Sequence, residues 1–102
     1  LILQAANCNA QIPAKIYEYF RAGRPIVALT DPAGDTATAL RRAGAGLVAP
    51  LDSVDAIAAA LCEFVRRTDE RQWHAASSAA VGEYSREHRT AEIAAIFAEV
   101  VR

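Results

Sequence analysis

The sequence predicts an α/β chain built on a parallel, doubly wound sheet. Ile26-Val27-Ala28-Leu29 is an unbroken apolar run without the alternation of a half-exposed strand, so it reads as a strand covered on both faces. Gly46-Leu47-Val48-Ala49 is a second short run, stopped by Pro50. Segments of helical periodicity separate and follow these runs, and strands alternating with helices at this spacing imply crossover connections and parallel pairing.

Taken in order, Leu1–Gln4 is an apolar strand end and Ala5–Gln11 a polar loop. A helix over about 13–22 follows, with Pro13 at its first position, where the missing N–H is not needed. Ile16, Tyr17 and Phe20 share one face of it. Gly23 suits the left-handed residue that ends the helix, and Pro25 prevents its continuation. Pro25–Thr30 is then the central strand, with Leu1–Gln4 and Gly46–Ala49 as neighbours. Asp35 or Thr36 caps the next helix, which ends at Gly44. Ser53 caps a longer helix over 54–68, carrying Val54, Ile57, Ala58, Leu61 and Val65 at helical spacing. Residues 69–80 are alanine-rich and predicted helical, with Trp73 as the large anchor, and Gly82 interrupts them. Thr90 caps a last helix whose Ile93, Ile96, Phe97, Val100 and Val101 form an apolar stripe. That stripe exceeds what one edge of a small sheet covers, so the helix should be loosely held, reaching to another domain or a second copy.

Composition sets the bounds. A chain of 102 residues makes one small domain, and 53% hydrophobic against 23% charged residues is an ordinary globular balance. A net charge of −1 gives no electrostatic reason to bind nucleic acid or an anionic membrane. No apolar run approaches the ~18 residues of a membrane span. Cys8 and Cys62 are too few and too far apart for a disulfide framework, so a reduced, cytoplasmic setting is expected, free or peripheral to the inner face of the membrane. Cys62, beside its helix's apolar stripe, reads as a small core residue. The opening Leu1-Ile2-Leu3, without an initiator methionine, leads to the expectation of a piece of a longer protein.

Among candidate sites, Glu18 stands out. From the helix alone it is a solvated glutamate, partnered by Lys15 at i−3 or Arg21 at i+3. Lys15 opposes the helix dipole unless an anion lies near, and the backbone N–H groups of Ala14 and Lys15 would point at such an anion. It reads equally as a surface lysine. Asn7, Asn9 and Gln11 are ligand contacts or turn formers. Gly34-Asp35-Thr36 has the character of a loop before a helix at a strand's carboxyl end, where ligands of such sheets gather. Glu18 should therefore be exposed, at the rim of a cleft between the Asn7–Gln11 loop and the Gly34–Thr36 turn. Other constellations fail: His74 and His88 have no partners at metal-ligand spacing. Ser77 and Ser78 lack a nucleophile elbow, and there is no Gly-x-Gly-x-x-Gly or Walker loop.

The run Pro13, Lys15, Glu18-Tyr19 and Gly23-Arg24-Pro25 resembles the donor-nucleotide segment of family 4 (group 1) glycosyltransferases, which lies in the C-terminal domain of their two-domain GT-B fold. Downstream, Gly46–Ala49, Asp52-Ser53 and Tyr84-Ser85 resemble later landmarks of the same domain. The resemblance implies a three-layer Rossmann-like parallel sheet, the second half of that domain, spanning 1–102 with a helical tail from about 69. It implies sugar transfer from a nucleoside-diphosphate sugar, hexosyltransferase-like, to an unknown acceptor, with no cofactor or metal. It gives Glu18 the ribose hydroxyls, Lys15 and Ala14 the phosphates, and Asn9, Gln11, Gly34 and Thr36 further sugar or phosphate contacts. Catalytic residues and the basic groups that neutralise the departing diphosphate would lie upstream of Leu1, beside an N-terminal domain. The family's motif has two glutamates, and Glu18 matches the second; at the first the chain departs and carries Ala10. Two alternatives stay open: a GT-B-type sugar-nucleotide epimerase, and a non-catalytic Rossmann-like packing domain, which Ala10 keeps in play.

Overall fold

A computed structural model describes residues 1–73 and 75–102; His74, one of the two histidines weighed above, lies outside the described residues. The elements run β1 (Ile2–Leu3), α1 (Lys15–Ala22), β2 (Ile26–Leu29), α2 (Asp35–Ala43), β3 (Gly46–Ala49), α3 (Val54–Asp69), α4 (Ser78–Glu83) and α5 (Arg86–Val100). A short 3-10 turn, Ala6–Cys8, interrupts the predicted loop. The fold is mixed α/β. Its three strands form a parallel sheet in the order β1-β2-β3, as the apolar runs predict. Ile2 lies opposite Ala28, and Ile26 through Leu29 lie opposite Gly46 through Ala49.

All four residues of β2 are buried, and their pleat divides them between two clusters. Ile26 and Ala28 pack with Ile2, Ile16 and Phe20 of α1, Leu40 and Ala43 of α2, Ala80 of α4 and Tyr84. Val27 and Leu29 join Ala49 against Ala56, Ile57, Ala60 and Phe64 of α3. Each large apolar side chain so buried contributes roughly 1.5–3 kcal/mol. An unbroken apolar strand is what covering on both sides requires.

The helix ends explain several differences from expectation. Gly23 and Gly44 close α1 and α2 in the left-handed region, at φ 65° and 66°. Pro13 stands just outside α1 instead of at its first position: Ala14 is the N-cap, and Pro13 O accepts from the Ile16 N–H at 3.0 Å in a tighter first turn. Neither Asp35 nor Thr36 caps α2. Gly34 does, while Asp35 becomes the first helical residue and donates its N–H to Asn9 O. Ser53 caps α3 as predicted, its Oγ accepting from the Ala56 N–H. The face of α3 differs, however. Val54, Leu61 and Val65 point outward, and so does Cys62, expected in the core. The sheet takes the adjacent row with two alanines, which lets the helix approach closely.

The continuous helix predicted for 69–80 is not formed. Helix α3 stops at Asp69, Arg71 adopts a left-handed φ of 52°, and α4 starts only at Ser78, capped by Ser77. Gly82 lies inside α4 and does not interrupt it. Trp73 does anchor this stretch, packing on Phe64 with ring centroids 4.9 Å apart and donating its indole N–H to Thr68 Oγ1. The last helix starts earlier than Thr90: Ser85 caps it, accepting from the His88 N–H. Thr90 sits within it, donating to Arg86 O.

The stripe on α5 is uncovered. Ile93, Ile96, Phe97, Val100 and Val101 are between 53% and 83% exposed, and no residue of α5 is buried. The radius of gyration of 15.5 Å exceeds the about 13 Å expected for a chain of this length, as a helix projecting from the body requires. Among the described residues no helix is long and apolar enough to cross a membrane.

Candidate functional site

The segment between β1 and α1 is fixed from beneath by one side chain. Gln4, just past β1 and 8% exposed, donates from Nε2 to the carbonyls of Cys8 and Gln11 at 3.0 and 2.7 Å. Its Oε1 accepts from the Thr30 hydroxyl, fully buried at the end of β2. The loop is therefore held by a satisfied buried amide and is not free to swing.

The same loop is bonded to the turn before α2. Asn9 O accepts from the Asp35 N–H at 2.9 Å, and Asn9 Nδ2 donates to Asp31 Oδ2 at 2.6 Å. Thr36, fully buried, donates its hydroxyl to Gln11 O at 3.1 Å. The structure thus brings Asn9, Gln11, Gly34 and Thr36 together, in contact with one another. An open cleft between loop and turn, expected from the sequence, is not what these bonds leave: the groups meant to face it bond across it. One polar atom there, Asn9 Oδ1, is buried without a partner among the described residues.

Ala14 and Lys15 stand at the start of α1 beside the edge strand. With Leu1, Ile2, Leu3, Pro13 and Tyr19 they line an open cavity of about 560 Å³. The first free donors of the helix, the N–H groups of Ala14 and Lys15, have no acceptor among the described residues. Lys15 contributes the one charged side chain among the described residues that line it. Glu18 is exposed one turn on and is not among the residues lining this cavity. Neither Lys15 nor Arg21 pairs with it, so the solvated ion pair of the plainer reading is not formed among the described residues.

A second cavity, of about 350 Å³, was not anticipated. Gln4, Ala5, Ala6, Asp31, Pro32, Pro50, Leu51 and Asp52 line it, at the carboxyl ends of all three strands. The sequence signal for it was available: Asp31 and Asp52 each fall within three residues of a strand end, where parallel sheets gather ligands.

The marked pKa shifts lie away from both cavities. On α3, hydrogen bonds from Arg66 and then Arg67 hold the Glu63 carboxyl down at about 2, and the Arg66 guanidinium is raised in return. On α5, Arg89 lowers Glu92 through a 2.7 Å contact. Among the described residues no group of three or more His, Cys, Asp or Glu side chains is gathered for a metal.

Compared with known proteins, the chain matches no family model, no curated protein and no solved structure.

Proposed function

We propose that this chain is the donor-nucleotide-binding part of a glycosyltransferase, the second half of the C-terminal, three-layer Rossmann-like domain of a GT-B fold. One observation carries the reading. The run Pro13-Ala14-Lys15-Ile16-Tyr17-Glu18 opens a helix that links two parallel strands, and among the described residues the N–H groups of Ala14 and Lys15 have no acceptor and Glu18 has no ion-pair partner. A diphosphate at that helix start would take the N–H groups of Ala14 and Lys15 and the Lys15 ammonium. Glu18, one turn further, would accept both hydroxyls of a ribose. In such a reaction negative charge grows on the departing diphosphate, so cations and fixed donors there lower the barrier. The uncovered stripe of α5 supports a second domain as the surface it meets.

A second reading, a non-catalytic packing domain, is favoured by the loop itself, since Asn9 bonds to Asp31 and Asp35 and Thr36 donates its hydroxyl to the Gln11 carbonyl. One titration separates the two. Uridine, guanosine and adenosine diphosphates are added in turn to the full-length protein, and to its Lys15→Ala variant, by calorimetry. The enzyme reading expects one of them to bind and Lys15→Ala to weaken it. Absence of binding by all three supports the packing domain.

A further inference from the structure

We infer that the cavity at the carboxyl ends of β1, β2 and β3 binds a small organic cation, an ammonium group on an apolar body, with Asp31 and Asp52 as its acceptors. This inference is independent of the nucleotide reading, because no lining residue is shared with Ala14, Lys15 or Glu18.

The lining decides the chemistry. Ala5, Ala6, Pro32, Pro50 and Leu51 supply apolar walls, and among the described residues the only charged side chains in the lining are the two aspartates. Neither forms an ion pair among the described residues. Gln4 has no N–H left for a ligand, since both hydrogens of its amide are spent on the Cys8 and Gln11 carbonyls. Asp31 is already in place: Oδ2 accepts from Asn9 Nδ2 at 2.6 Å and Oδ1 from the Ala33 N–H at 2.9 Å. Each carboxylate oxygen has a second lone pair, so Asp31 keeps acceptor capacity while its geometry is fixed, and a fixed acceptor loses little freedom on binding.

Alternative ligands fare worse on this lining. An anion would meet two negative charges and no side-chain cation. At the start of the following helix, α3, Ser53 Oγ takes the Ala56 N–H, and Asp55 in the first turn adds a further negative charge. A neutral apolar molecule would strip water from both carboxylates and return nothing. A metal ion favours an all-oxygen shell, whereas most of this lining is apolar. An ammonium on a compact apolar body satisfies the carboxylates and the walls together. The cavity's size falls near the lower end of the range of roughly 300–1,000 Å³ typical of small-molecule sites, as a small amine requires.

The test is an amide-shift titration of the chain with n-butylammonium, using n-butanol, glucose and inorganic phosphate as comparison probes. Butylammonium should perturb the amides of Ala5, Ala6, Leu51 and Asp52 with a dissociation constant in the millimolar range, weakening as salt is raised. Asp52 is exposed and makes no side-chain hydrogen bond among the described residues, so Asp52→Asn should fold normally and bind butylammonium about threefold or more weakly. Equal binding of butanol would reduce the site to an apolar crevice. Glucose or phosphate perturbing these amides in place of butylammonium, or an unchanged affinity in Asp52→Asn, would also overturn the assignment.

Discussion

Thr30 donates its fully buried hydroxyl to Gln4 Oε1 at 2.9 Å, tying the end of β2 to the loop that leaves β1. The bond lets one glutamine hold two loop carbonyls from below. Thr30→Val keeps the shape and leaves Gln4 Oε1 buried and unpaired. We expect a loss of about 1–3 kcal/mol in urea unfolding, with faster exchange of the Cys8–Gln11 amides. A variant as stable as the parent would show that the loop is held by other contacts.

Gly46 and Gly82 should respond oppositely to alanine. A Cβ at Gly46 would overlap the Ile26 carbonyl oxygen across the β2–β3 pair, and backbone cannot move aside cheaply. At Gly82, within α4, a Cβ meets nothing within 4 Å. Gly46→Ala is expected to destabilise by at least ~1–3 kcal/mol, and Gly82→Ala to stabilise by about 0.5–1 kcal/mol. Thermal unfolding of the two variants side by side checks both signs.

Helix α5 carries four large exposed apolar residues, with Val101 at its C-cap a fifth, and no buried one. Its amides should exchange well before those of β2, because little tertiary burial opposes opening. Phe97→Gln and Ile96→Gln should change monomer stability by less than about 0.5 kcal/mol. Ultracentrifugation should show association that these variants reduce. A stability loss typical of core positions would mean that α5 is packed in solution.

The acid response of α3 follows from Glu63. Its carboxyl sits at about 2 in the folded chain against 4.5 without the arginines. A depressed carboxylate contributes stability above its unfolded value and loses it as pH falls toward the folded one. Helix content should therefore decline between these two values, and Glu63→Gln should remove that part of the decline. Glu63 and its two arginines are a third to a half exposed, so the amplitude is small and falls with added salt.

How much was legible in the sequence varies with the kind of signal. The three strands and their parallel order were readable, because a strand buried on both faces must be continuously apolar, as Ile26–Leu29 is. Gly23 and Gly44 were readable because only the left-handed residue at a helix end calls for glycine. Helix starts were less so. Ser85 and Thr90 are both good caps, and the residues between them are polar on every side, so no apolar period marks the added turn. Gly34 hid behind two better capping residues. On α3 two apolar rows overlap, and spacing does not say that the alanine row faces the sheet. At the candidate site, the helix bearing Lys15 and Glu18 was legible. The bonds of Asn9 with Asp31 and Asp35 and of Thr36 with Gln11 were not, since they depend on residues 22 to 26 positions apart meeting in space.

Whether Glu18 receives a ribose, as proposed above, is decided by a cycle of affinities. The full-length protein and its Glu18→Gln variant are each titrated with the preferred nucleoside diphosphate and with its 2′-deoxy analogue. Glu18→Gln should weaken the ribonucleotide by ~1–3 kcal/mol, the cost of losing charge-assisted hydrogen bonds. The 2′-deoxy analogue should lose affinity for the parent and much less for the variant. Equal affinity of parent and variant for the ribonucleotide, or the same deoxy penalty in both, would contradict the ribose role.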